Sequence, residues 1–407
     1  MKKAILLLII FTLLPLYGCG GTKQIEANGD LVIAALRENE FLNAAARKYE
    51  EANDGVKVTI IAYWKNGADM DFSKYSQIIN TALMSGKGED IIDVSSLTWT
   101  KLADRGKLAD LNGLISFDTE TYFMNILDAY LYNEKRYAIP LCFSFEAYRF
   151  YNDFSDKEIK KDVTINDTLA LAGKYPENPL FDGSGFGTSK TSLAYKLFCL
   201  NFSDFLDMEM KEATVDNAEF ISLLETVSSF PEPLAGYPGA LIGQALVYTP
   251  AMTNNGTEDL SNMFLLTNAA GGALFDTVGF MPAINANSEN KELAADFIKF
   301  LLSEETLTSP ELYFCPVNKK AADEKAKLMF ESVLAGGWAP EGFDYAALER
   351  NIAAFNALAG KLSLVENADY FIRDFVTAEM ERYFQGRQDA AQTAKNLQSR
   401  LNTYLKE

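Results

Sequence analysis

The chain of 407 residues contains no histidine. That absence removes Ser-His-Asp and Cys-His nucleophile systems and every zinc site that needs an imidazole ligand, and it disfavours most transition metals. No cofactor is expected. Cysteine is nearly as scarce: beyond Cys19 there are only Cys142, Cys199 and Cys315, an odd number in apolar surroundings. These three read as small buried hydrophobes rather than a disulfide framework, with a single bridge among them left open. Positive charge is short as well. Lys and Arg total 37 against 56 Asp and Glu, a formal net charge of -19, so nucleic acid is not expected as a partner.

What is present begins with an address. Lys2 and Lys3 precede an apolar run over residues 4–14, and Leu16-Tyr17-Gly18 leads into Cys19. The run is too short to span a bilayer as a resident helix, and the small Gly18 suits cleavage followed by lipidation of the Cys19 thiol. Residues 1–18 thus read as a lipoprotein signal peptide, and residues 19–29 as the lipidated cysteine and a polar tether. The alternative, an ordinary secretory leader with an incidental cysteine, also exports the chain.

Hydrophobic residues make up 48% and aromatics 12%, ample for a core and, at this length, for two domains. Residues 31–36 read as a buried strand, 38–53 as a helix with Phe41, Leu42, Ala45 and Tyr49 on one face, and 56–60 as an alternating strand after an Asp54-Gly55 turn. A second helix carries Tyr75, Ile78, Ile79, Ala82 and Leu83, and residues 91–94 form a third strand. This β-α-β-α-β order predicts a parallel sheet, whose ligands bind beyond the carboxyl ends of its strands. Further helices are expected near residues 97–105 and 118–131, and a strand over 146–152 that cannot extend regularly back through Pro140. Residues 165–174, 189–205 and 216–230 are helical in period. Apolar runs return at 245–248, 263–266 and 278–281, suggesting a second α/β lobe. The glycine-rich stretch 182–187 lacks the Lys-Ser/Thr ending of a phosphate loop and reads as a surface turn.

Residues 287–305, followed by Pro316-Val317-Asn318-Lys319, resemble the lobe-crossing helix and its sequel in extracellular solute-binding proteins of ABC importers, in particular the maltose-binding-like sugar binders. Residues 84–92, 106–111, Ala138-Ile139-Pro140 with Tyr151-Asn152, 384–388 and 394–400 match in order. The resemblance implies an α/β, two-lobe periplasmic-binding-protein-like fold of type II. Each lobe is expected to be a mixed sheet flanked by helices, joined by hinge crossings. Lobe 1 would span residues 30–141 and 282–335, and lobe 2 residues 142–281 and 336–407. Departures occur at Gly88-Glu89-Asp90, at Thr164-Ile165-Asn166-Asp167 and at Leu246-Val247-Tyr248-Thr249-Pro250, which lacks a tryptophan that Tyr248 would replace.

Sugar recognition needs aromatic faces against the C–H patches of a ring, with carboxylates, amides and cations on its hydroxyls. By that criterion Trp64, ending the second strand, is the leading ligand contact, with sheet packing as its alternative. Asp93, Ser95 and Ser96 close the third strand, where Asp93 could instead tie down a neighbouring helix N-terminus. Phe145 and Glu146 sit at the first crossing. Tyr248 and Trp338 are the choices on the second lobe, and Arg37 and Glu38 follow the first strand. Trp99 reads as packing. The expected partners are a small-molecule ligand, carbohydrate by preference, the permease subunits of an ABC importer, and the membrane through the lipid on Cys19; the chain is expected to be a monomer. A receptor reporting to a membrane sensor and a two-carboxylate glycosidase are the competing readings. Without imidazoles, affinity is expected to vary little between about pH 6 and 8.

Overall fold

The computed structural model describes residues 29–65, 71–151, 163–181, 189–231, 240–253, 259–337, 344–366 and 369–407. The leader, Cys19, the glycine-rich stretch 182–187 and Trp338 lie outside the described residues.

The first lobe follows from its periodicities. Leu31, Ile33 and Ala34 are fully buried because their strand, Gly29–Arg37, lies inside a four-stranded sheet. Its neighbours are Ile91–Asp93 and Val56–Trp64, both parallel to it, and Pro282–Ile284 pairs antiparallel with Ile91–Asp93 at the edge. The helix Glu40–Ala52 begins two residues later than its apolar period suggests, because Asn39 caps it, accepting from the Leu42 amide at 3.1 Å. Gly55, at φ +84°, supplies the left-handed turn into the next strand. The strand reaches Trp64, four residues beyond its clear alternation, and Asp71 caps the helix Phe72–Met84.

Two expectations fail locally. Residues 118–131 are not one helix: the Asp118 carboxylate accepts from the amides of Glu120 and Thr121 at 3.0 and 2.7 Å, holding a turn, and helix forms only over Met124–Asp128. Nor does the run 278–281 form a strand. Gly279 takes φ +87°, and regular pairing resumes at Pro282–Ile284.

The second lobe is built on an eight-stranded sheet with the path Met252–Thr253, Ile242–Thr249, Cys142–Phe150, Ala273–Thr277, Leu266–Thr267 and Val163–Thr164. Cys315–Pro316 pairs with Cys142–Phe150, and Leu362–Val365 with Ala273–Thr277. The expected helices appear as Ile165–Lys174, Lys190–Leu200 with the short Phe202–Phe205, and Ala218–Ser229. They pack with Tyr370–Phe384 and Ala390–Lys406 around Phe198, Phe220, Val376 and Leu397, all fully buried. Cys142, Cys199 and Cys315 are buried and free.

Three passages of chain run side by side between the lobes. Ser144 pairs with Asp276 and Phe143 with Thr277, while on the other side Cys142 pairs with Pro316 and Phe143 with Cys315. Their apolar faces meet one aromatic cluster. Phe355, fully buried on the helix Tyr345–Ala359, lies 5.4 Å from Phe145, 6.1 Å from Phe143 and 6.2 Å from Phe123, ring centre to ring centre. Because the first crossing packs against this ring through Phe143 and Phe145, Phe355→Ala should lower unfolding free energy by about 4 kcal/mol through lost transfer and an unfilled cavity. Urea denaturation of parent and variant measures it.

Candidate functional site

The crossings form the floor of an interlobe cleft. Ser144, Phe145 and Glu146 come from the first passage, Asp276, Val278, Gly279 and Phe280 from the second, and Leu312, Tyr313 and Phe314 from the third. The cleft has two compartments that share Val278 and Phe314 as a common wall. The larger, about 610 Å³, is walled by the helix Lys190–Leu200 through Thr191, Ser192, Tyr195 and Lys196, and by the helix Tyr370–Phe384 through Tyr370, Arg373, Asp374 and Thr377. The smaller, about 340 Å³, opens on the first lobe at Arg37, Glu38, Asn39 and Glu40. Each volume lies within the range of roughly 300–1,000 Å³ typical of small-molecule sites. The lobes also touch near the larger compartment, where Phe72 of the first lobe lies 5.0 Å from Tyr370.

A buried ion triad organises the larger compartment. Lys196 Nζ lies 2.5 Å from Glu146 Oε2 and 3.4 Å from Glu366 Oε1, with the three side chains only 10–20% exposed. Burial works against the Lys196 charge, but Glu146 and Glu366 outweigh it and hold the ammonium above its ordinary range. Burial pushes the Glu366 carboxyl upward, Lys196 opposes this, and Glu146 and Asp276 add to it. Tyr148 donates its hydroxyl to Glu146 at 2.7 Å, and Tyr195 donates to the Glu366 carbonyl at 2.9 Å. The carboxylates are therefore held by fixed partners before any ligand arrives, the condition for recognising hydroxyls without reorganisation. Among the described residues no group of three or more His, Cys, Asp or Glu side chains could hold a metal ion.

Of the residues chosen from sequence, Arg37, Glu38, Phe145 and Glu146 line the compartments. Phe145 is 2% exposed, and most of its ring belongs to the aromatic cluster beneath the floor. Tyr248 stands behind the shared wall, 5.6 Å from the Phe314 ring. Trp64 is not among the lining residues. It is half-buried at the end of its strand, 6.1 Å from Tyr75 in an edge-to-face contact. Asp93 lies beneath the sheet's end, accepting from the amides of Leu36, Ser95 and Met281 at 3.3, 3.1 and 3.2 Å. Burial raises its carboxyl, against the pull of these amides. It thus ties two strand ends to the second crossing, with Ser95 exposed and Ser96 buried beside it. Trp99 is 6% exposed and packs edge to face on Tyr132.

Sequence reasoning missed Lys196, Glu366, Tyr195, Asp276, Arg373 and Tyr313. Lys196 and Tyr195 sit among apolar residues in a helix that reads as core, and Glu366 follows the four-residue strand Leu362–Val365 with no motif around it.

No protein-family model matches the chain, and no curated protein sequence matches it. Solved structures do. The cyclic alpha-maltosyl-1,6-maltose binding protein of Arthrobacter globiformis is similar with a TM-score of 0.57 at 15% identity, over 93% of this chain and 100% of that one. An ABC substrate-binding protein of Listeria monocytogenes in complex with cycloalternan gives a TM-score of 0.56 at 17% identity, over 93% and 100%. The GacH receptor of Streptomyces glaucescens gives 0.53 at 15%, over 94% and 99%. The chain thus has the two-lobe, periplasmic-binding-protein-like α/β fold.

The triad yields a signed prediction. Lys196→Met leaves two buried carboxylates without their cation, so stability at pH 7 should fall by about 3 kcal/mol. Burial already pushes the Glu366 carboxyl up and Lys196 opposes it, so in the variant that carboxyl rises further above its unfolded value and the folded state binds its proton more tightly. The deficit is therefore full above the raised Glu366 pKa and shrinks as pH falls through it. Thermal unfolding of parent and variant from pH 7 to pH 4.5 checks both size and sign.

Proposed function

We propose that the chain is a carbohydrate-binding protein of an ABC importer, exported and anchored by lipid on Cys19, that captures a mono- or oligosaccharide in the interlobe cleft and presents it to the permease subunits. The observation that carries this reading is the cleft itself. Its floor consists of the passages that join the lobes; helices of the second lobe wall the larger compartment with carboxylates, hydroxyls and a lysine, Arg37, Glu38, Asn39 and Glu40 of the first lobe wall the smaller, and each compartment is of small-molecule size. A ligand that spans the two compartments touches both lobes and can bias their relative position, which is how occupancy becomes a shape that a membrane partner can read. The structural neighbours named above include binders of maltosyl saccharides and cycloalternan. The carboxylates Glu146 and Glu366 share one ammonium, an arrangement suited to holding hydroxyls rather than to the acid and nucleophile pair of a glycosidase. The binding residues on this reading are Arg37, Glu38, Glu146, Lys196, Glu366 and Arg373, with Phe145 and Phe314 as apolar floor.

A thermal-shift series on the chain freed of residues 1–18 tests the class, with mono- and oligosaccharides against amino acids and polyamines. A saccharide at about 100 times its dissociation constant should add roughly 2.7 kcal/mol of stability, a clear rise in melting temperature. A response confined to amino acids or polyamines would defeat the carbohydrate reading and leave the fold untouched.

A further inference from the structure

Tyr313 is 53% exposed, yet the segment that carries it is fixed on both sides. Before it, the Leu312 side chain is 8% exposed, its amide donates to the Ser309 carbonyl at 3.1 Å, and Lys325 Nζ donates to that same carbonyl at 2.8 Å. After it, Cys315 and Pro316 pair with Phe143 and Cys142 in the central crossing. The ring itself is held by edge contacts with Tyr248 at 5.5 Å and Phe314 at 5.6 Å, and those two rings lie 5.6 Å from each other. An aromatic side chain so anchored keeps a large apolar face in water with little rotational freedom left to lose on binding, the property that makes a tyrosine an effective contact surface.

Its position defines what it would contact. Tyr313 lines only the smaller compartment, while its neighbour Phe314 lines both. Around it stand the polar side chains of Arg37, Glu38, Glu40 and Glu311. An apolar platform facing hydrogen-bonding groups, separated by one shared ring from a second compartment with the same mixture, is a repeat of the same recognition chemistry along the cleft.

We infer that Tyr313 is the stacking platform of a second sugar subsite, and that the cleft selects saccharides of two or more rings bridging both compartments across Phe314. This rests on the carbohydrate reading and specifies ligand length within it. One ring occupies the larger compartment against the Lys196 triad. The next lies on Tyr313, the exposed ring of that compartment, whereas Phe280, which also lines it, is 4% exposed, so the gain from adding a ring depends on Tyr313.

The test is calorimetric titration of the chain with a homologous mono-, di- and trisaccharide series built from a sugar that raises its melting temperature. The parent should bind the disaccharide at least about tenfold more tightly than the monosaccharide. Tyr313→Ala should cut that gain by about tenfold, weakening the di- and trisaccharide more than the monosaccharide. Tyr313→Trp should keep the gain and report the longer ligand by a change in indole emission, with Trp64, Trp99 and Trp338 of the parent as background. A parent without a length-dependent gain overturns the inference, as does a Tyr313→Ala variant that keeps the gain or weakens all lengths equally. In those cases the carbohydrate reading stands. Failure of the parent to bind any saccharide overturns both.

Discussion

The cleft depends on the antiparallel pairing of three chain passages around Phe143 and Ser144. Pairing fixes their mutual register, and the register decides which side chains point into the cleft and which into the aromatic cluster behind it. Ser144 faces the larger compartment while Phe143, its neighbour in the strand, is fully buried, as the alternation of a strand requires. The break at residues 278–281 follows from the same constraint. The second passage must leave the second-lobe sheet at Thr277 and join the first-lobe sheet at Pro282, so a non-strand link with Gly279 at φ +87° spans the gap. That link and the Leu312–Phe314 stretch become the wall between the two compartments.

The electrostatics of the cleft are built on this frame. Glu146 projects from the first passage, Glu366 from the residue after a strand that pairs with the second, and Lys196 reaches both from a helix of the second lobe. A charge this buried is costly unless paired, and here each group is satisfied by elements that are themselves fixed. Desolvation has therefore been met in folding, so on the proposed carbohydrate reading a neutral polyhydroxy ligand would find acceptors and donors already oriented. Asp93 performs the corresponding task below the first sheet, binding three amides from two strand ends and the second crossing.

Much of the fold was legible because the first lobe uses plain signals: alternation in Val56–Trp64, a 3.6-residue period in Glu40–Ala52 and the turn at Gly55, while the Asn39 cap that sets the helix start went unread. Where local chemistry competes with period, reading failed; the Asp118 turn halts a helix that its apolar spacing favours. The site was legible only in part. Strand ends pointed to Arg37 and Glu38, and the first crossing to Glu146. Lys196 and Glu366 lie 170 residues apart and meet only through tertiary packing, which no spacing rule encodes. Tyr313 precedes Phe314-Cys315-Pro316, a stretch whose apolar character concealed that one ring faces solvent. Trp64 shows the reverse, since a tryptophan at a strand's carboxyl end can pack on Tyr75 as readily as reach a ligand.

Hydrogen exchange of the chain, with and without a saccharide that raises its melting temperature, tests the central claim that the crossings are both the joint and the ligand floor. Backbone amides slow in proportion to the opening free energy that the ligand adds. The account predicts that the largest ligand-dependent protection falls on residues 144–146, 276–280 and 312–314, with matching effects in the helices that carry Lys196 and Arg373. Protection concentrated elsewhere, with these three passages unchanged while the saccharide is bound, would contradict it.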